Sequence, residues 1–158
     1  MNSIFNEDFL EYISLLNKHS VRYILIGGLA VNVYGYRRST GDMDLWIEPT
    51  EENHTRLTKV HQEYGMYMGE MEDLENFIDT LKFDVFQFGG GFIKIDIMTA
   101  CKGLIFESAL KQAKMINIEK VNVRIIHIND LIQAKLAAGR FKDLDDIENL
   151  NKLRDQNS

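Results

Sequence analysis

The stretch that most constrains this chain is Tyr23-Ile-Leu-Ile-Gly27-Gly28-Leu29-Ala, followed by a short linker and Asp42-Met43-Asp44-Leu45-Trp46-Ile47. It reads as a buried strand, a diglycine turn, a short helix and a second strand that opens on two carboxylates. Side chains alternate along a strand, so Asp42 and Asp44 share one face, ~6–7 Å apart along the chain. Met43, Leu45 and Ile47 point the other way, into a core. Like charges side by side are unfavourable unless a cation compensates them. A divalent metal is the obvious candidate, because Mg²⁺ takes carboxylate oxygens as ligands.

The diglycine supplies a second ingredient. Glycine lets a backbone pass close to a ligand, and the first amides of a helix point outward without partners. The backbone N–H groups of Gly27, Gly28 and Leu29 are therefore candidates to hold phosphate oxygens. An anion cradle and a metal site this close together in sequence are equipment for a nucleoside triphosphate.

A second unit carries chemistry further along. Phe83–Phe88, Gly89-Gly90-Gly91 and Phe92–Met98 read as two strands joined by a glycine hairpin. On the second strand Ile93, Ile95 and Ile97 share one face and Lys94, Asp96 and Met98 the other. Asp96 is then a lone carboxylate in a central strand.

The remaining pattern frames these two units. Residues 5–19 have helical spacing with acids early and a lysine late, as the helix dipole prefers. Strands are expected over 22–26, 42–48 and 121–128, with a helix over about 28–35. Thr50 caps a helix that ends before Gly65, a short helix covers 72–80, and another covers 103–114. Asn129 or Asp130 caps a helix that stops at Gly139, and Asp143 opens the last one, to about Leu153. The expected fold is α/β (α+β), a mixed twisted sheet flanked by helices. With 158 residues, one domain is expected over 1–158, its core at about 22–128 and C-terminal helices at about 129–154.

Composition narrows the function classes. A net charge of −6 argues against general affinity for nucleic acid, whose binders present a basic face. Cys101 is the only cysteine, which excludes an intrachain disulfide and a cysteine metal site. That fits a reducing cytosol, and a cytoplasmic location is expected. No basic region followed by an apolar run marks the first residues, and no apolar stretch approaches the ~20 residues that span a bilayer.

Gly27-Gly28, thirteen residues and Asp42-x-Asp44 together resemble the signature of the DNA polymerase beta-like nucleotidyltransferase superfamily. Gly35-Tyr-Arg-Arg38-Ser-Thr40-Gly-Asp42 is similar to the small prokaryotic minimal nucleotidyltransferases, some of which belong to toxin–antitoxin and abortive-infection systems. Lys135-Leu-Ala-Ala-Gly-Arg140-Phe-Lys-Asp143 resembles their C-terminal part.

The resemblance implies a third carboxylate on a later strand, and Asp96 fits that position. It implies two Mg²⁺ ions, or Mn²⁺, held by Asp42, Asp44 and Asp96, with Asp96 also receiving the acceptor's proton. It places Arg38, Thr40 and Lys135 with the diglycine amides as candidates for the phosphates of an NTP. The implied reaction moves a nucleoside monophosphate to a hydroxyl of a protein or tRNA end, ahead of a small molecule, and releases pyrophosphate. A cognate toxin or antitoxin is an implied partner. Relatives commonly carry serine at the glycine turn, whereas Leu29 follows it in this chain.

Plainer readings stand beside these. Lys135 could be a solvated helix lysine, Arg140 and Lys142 could complement a helix C-terminus, and Lys94 could be a surface charge on the Asp96 face. Trp46 could stack a base or cap the core where sheet meets helix. The whole fold could also be a non-catalytic binding module such as an antitoxin-like partner.

Overall fold

The computed structural model of the chain describes residues 5–37, 40–90 and 93–156. Six strands form one mixed sheet in the order β3-β4-β2-β1-β6-β5. They are β1 Tyr23–Ile26, β2 Asp42–Ile47, β3 Val85–Gly90, β4 Ile93–Met98, β5 Lys114–Ile118 and β6 Val121–Ile125. β1 is antiparallel to β2 and parallel to β6, and β2 is parallel to β4. β3–β4 and β5–β6 are antiparallel hairpins. The helices are α1 Glu7–Lys18, α2 Gly27–Val33, α3 Glu51–Tyr64, α4 Leu74–Ile78, α5 Phe106–Gln112, α6 Ile128–Ala138 and α7 Phe141–Gln156. None of these helices is long and apolar enough to cross a membrane.

The alternation on β2 divides the sheet into two faces. Met43, Leu45 and Ile47 are fully buried on one of them. Register puts Ile95 opposite Met43 and Phe88 opposite Ile95, so these side chains lie on the same side. There the ring of His61 on α3 packs against Phe88. Tyr12 of α1 donates its hydroxyl to His61 Nε2 at 2.6 Å. His61 Nδ1 lies 3.2 Å from the Met66 carbonyl, which can only accept, so the proton sits on Nδ1 and Nε2 receives from tyrosine. Burial pulls the His61 pKa down to about 4. Its contribution to stability is therefore complete above its ordinary pKa and is lost as the pH falls through 4.

The other face carries Asp42, Asp44 and Trp46, with α5, α6 and α7 beyond it. Trp46 is buried and meets Phe106 of α5 edge-to-face at 5.2 Å. It caps the core and is closed to a nucleobase, which decides between the two readings of that residue.

Several local expectations are met. Thr50 accepts from the Asn53 amide as the cap of α3, and Gly65 closes that helix in the left-handed conformation. Asn6 caps α1. Two elements differ. The chain expected to be helical up to 114 stops at Gln112, and β5 follows it. β5 turns into β6 through Glu119 and Lys120, both at positive φ, so a two-residue hairpin turn is made without the glycine or asparagine that advertises one. The cap of α6 is His127, whose Nδ1 accepts from the Asn129 amide, in place of Asn129 or Asp130.

One side chain ties α3 to the β1–β2 pair. Asn53 is fully buried. Its Oδ1 accepts from the Arg22 amide at 2.8 Å, and its Nδ2 donates to the Arg22 and Glu48 carbonyls at 3.0 and 2.9 Å. Arg22 precedes β1 and Glu48 follows β2, so this amide clamps the open end of the antiparallel pair. Truncation would remove all three bonds, leaving the Arg22 carbonyl with the Glu48 amide and the Glu48 carbonyl with the Thr50 amide. Asn53→Ala is expected to destabilise the chain by about 2–3 kcal/mol in urea unfolding; a loss below ~0.5 kcal/mol would show the clamp to be dispensable.

Candidate active site

Parallel pairing of β2 with β4 sets Asp42 opposite Lys94 and Asp44 opposite Asp96. The three predicted carboxylates thus lie on one sheet face, two of them directly opposed. Asp44 and Asp96 stand close enough for each to perturb the other's titration. Burial, then the negative charges of Asp96 and Asp42, push the Asp44 pKa up to about 6. Asp96 is raised as well, first by burial and then by Asp42, while Gln87 on β3 donates to it and opposes the rise.

Gly27 has a more specific role at this site than flexibility. Its φ is +72°, and a Cβ built on it would lie 2.8 Å from Asp44 Cγ and 2.9 Å from Asp44 Cβ. The Asp44 side chain occupies the space that any other residue at 27 would fill. Gly28 and Leu29 follow inside α2, Leu29 with its side chain in the core, and no side chain caps that helix. Thr40 lies at the rim with its hydroxyl 3.4 Å from the Asp42 carbonyl.

These residues line a cavity of about 650 Å³ whose opposite wall is α6, the α6–α7 turn and the start of α7. Gly27, Gly28, Thr40, Asp42, Asp44, Asp96 and Lys135 all border it. Leu29 does not. Arg38 lies outside the described residues. Lys94 is exposed on β4, close enough to Asp96 to lower its pKa.

Lys135 is not a solvated lysine. It is 7% exposed, and its ammonium sits 2.9 Å from Asp146 Oδ2 and 3.5 Å from Asp143 Oδ1. Arg140 grips Asp143 with two bonds of 2.7 and 3.1 Å, which corrects its reading as a helix C-terminal charge. Both aspartates are buried and border the cavity. Sequence reasoning missed Asp146 altogether. The available signal was the spacing Asp143, Asp146, Leu150, an inward helical stripe that begins with two acids, following a lysine on the helix before.

The donor set suits a divalent cation. Three carboxylates are hard oxygen ligands, and a dication among them would offset the burial and the repulsion that together hold Asp44 near 6. As they stand, no three acidic, histidine or cysteine groups among the described residues are drawn to metal-ligand spacing.

A protein-family profile described as "Nucleotidyl transferase of unknown function (DUF2204)" matches residues 5–158. Among solved structures, the lincosamide antibiotic adenylyltransferase LnuA with bound lincomycin superposes with a TM-score of 0.61 at 15% identity, covering 96% of this chain and 99% of that one. A Thermotoga maritima protein assigned to the nucleotidyltransferases gives 0.59 at 14% identity, over 94% of this chain and 91% of that one. An antigenic nucleotidyltransferase-like protein from Paracoccidioides brasiliensis gives 0.54 at 14% identity, over 94% and 77%. At these identities the likeness speaks for the fold. No curated protein matches the chain by sequence.

The raised Asp44 pKa has a thermodynamic consequence. Its stabilising effect is present below the ordinary carboxylate pKa and is lost as the pH rises through about 6, so the ionised group costs about 3 kcal/mol at pH 7. His61 runs in the opposite sense, so the difference between wild type and variant isolates Asp44. Without added metal, Asp44→Asn is expected to be more stable than wild type at pH 7, the advantage vanishing by pH 4. An advantage independent of pH would rule out ionisation of Asp44 as its cause.

Proposed function

The chain belongs to this nucleotidyl transferase family, and on that premise we propose that it moves a nucleoside monophosphate from an NTP to an acceptor hydroxyl. The observation that carries the reading is the register of Asp44 with Asp96 on the face shared by Asp42, at a cavity bordered by the diglycine.

Asp42, Asp44 and Asp96 would hold Mg²⁺, or Mn²⁺. When bound, such ions withdraw charge from the phosphate oxygens and lower the pKa of an acceptor hydroxyl. The chain's own residues do the rest. The amides at the start of α2 have no side-chain cap and would donate to the outer phosphates. Thr40 and Lys135 face the same space, as donor and fixed cation. Asp96, half-buried and tied to Gln87, would receive the proton lost by the acceptor.

A hydroxyl on a protein or a tRNA end is the favoured acceptor, as in toxin–antitoxin relatives, with a cognate partner protein. A second reading, a small-molecule acceptor, is favoured by the likeness to the lincosamide adenylyltransferase over 96% of this chain. A module that only binds a partner would gain nothing from opposed carboxylates that destabilise it at neutral pH. The carboxylates therefore weigh toward catalysis.

The test is transfer of label from each alpha-labelled NTP, with Mg²⁺ or Mn²⁺, into cell extract. Wild type is expected to label a protein, RNA or small-molecule fraction, and Asp42→Asn/Asp44→Asn to lose at least about a hundredfold of that activity. Equal labelling by the double variant would remove the carboxylates from the mechanism. No labelling by folded wild type under any condition would favour the binding module.

A further inference from the structure

We infer that Asp146, buttressed by Asp143, is a positioning residue that fixes the Lys135 ammonium as the binding group for the triphosphate end of the nucleotide. This rests on the nucleotide reading of the cavity and adds the part of the wall that selects a triphosphate over a monophosphate.

Lys135 lies on α6, across the cavity from the carboxylates, and its charge reaches Asp44, whose pKa it lowers. A buried ammonium is costly unless paired, and an unpaired lysine would swing to solvent or shed its proton. Two buried carboxylates on successive turns of α7 prevent both. Asp146 is the nearer at 2.9 Å; Asp143, at 3.5 Å, is itself held from the solvent side by the Arg140 fork. An ammonium has three donors, and these two contacts leave at least one for the cavity. The cation is thus fixed before the ligand arrives, which is where a preorganised charge contributes most.

The plainer alternative is a salt bridge that joins α6 to α7. A buried ion pair is a poor joint, because apolar side chains of similar volume usually stabilise as well or better. The same stripe of α7 continues with the fully buried Leu150, so an apolar seam was available. Two acids and a lysine stand instead at the stretch that borders the cavity.

The experiment measures binding of the full chain, with Mg²⁺, to α,β-methylene analogues of the four NTPs and to the corresponding NMPs. Wild type is expected to prefer the triphosphate. Lys135→Met and Asp146→Asn should each shrink that preference about tenfold or more, leaving NMP affinity unchanged. In the double variant the loss should be no greater than in Lys135→Met alone, since Asp146 acts through the lysine. Asp146→Asn retaining the wild-type preference, losing both ligands alike, or adding its loss to that of Lys135→Met would overturn the inference while sparing the nucleotide reading. Wild type without any preference would overturn that reading and the inference with it. Should Asp146→Asn fail to fold, Asp143→Asn replaces it, with a smaller loss of preference expected and an unchanged preference counting against.

Discussion

Two carboxylates set directly opposite each other on neighbouring parallel strands govern the rest of the cavity. Nothing in sheet geometry favours Asp44 facing Asp96, and each of their neighbours can be understood as an accommodation to it. Gly27 gives up its Cβ so that the Asp44 side chain has somewhere to lie. Gln87 offers Asp96 a donor from the edge strand. Lys135 supplies positive potential from across the gap. Behind β2, by contrast, the strand's own side chains Met43, Leu45 and Ile47 are apolar and fully buried. The strand is rigid on one side and electrostatically stressed on the other.

Much of this was legible in the residues, because the period of a strand assigns faces without reference to the rest of the chain. Asp42 and Asp44 could be placed on one face from alternation alone, Asp96 was set beside them by the family resemblance, and Thr50 and Gly65 mark α3 by their chemistry. The failures have physical causes. β5 was hidden because Glu119 and Lys120 adopt positive φ without the usual turn residues. Asp143 and Asp146 were hidden because hydrophobic periodicity treats every acid as a solvent-facing position, and the inward stripe of α7 starts with two of them. Burial of a charge is decided by its partners, and Lys135 and Arg140 come from earlier in the sequence.

The family and the fold speak with different force about the reaction. The shared architecture reaches LnuA across nearly the whole chain at 15% identity. At that distance the frame is retained while the walls are free to change. In this protein the frame is the sheet with its opposed carboxylates, and the walls are α6, α7 and the rim around Thr40, where an acceptor would have to enter.

The way the sheet is wired also bears on how the protein is made. β2 and β4 are neighbours in space but are separated by α3, α4 and β3, and the cationic wall on α6 and α7 is synthesised after both. Contacts of such long range are formed late in folding. A growing chain that has paired Asp44 with Asp96 still has that face open to water, where charged groups are well solvated and an NTP has no enclosed place to settle. The docking of α6 and α7 both closes the cavity and supplies its counter-charge. Ribosome-bound and truncated forms that lack those helices therefore lack the pocket itself. The cavity is thus a property of the completed fold and not of the sheet alone.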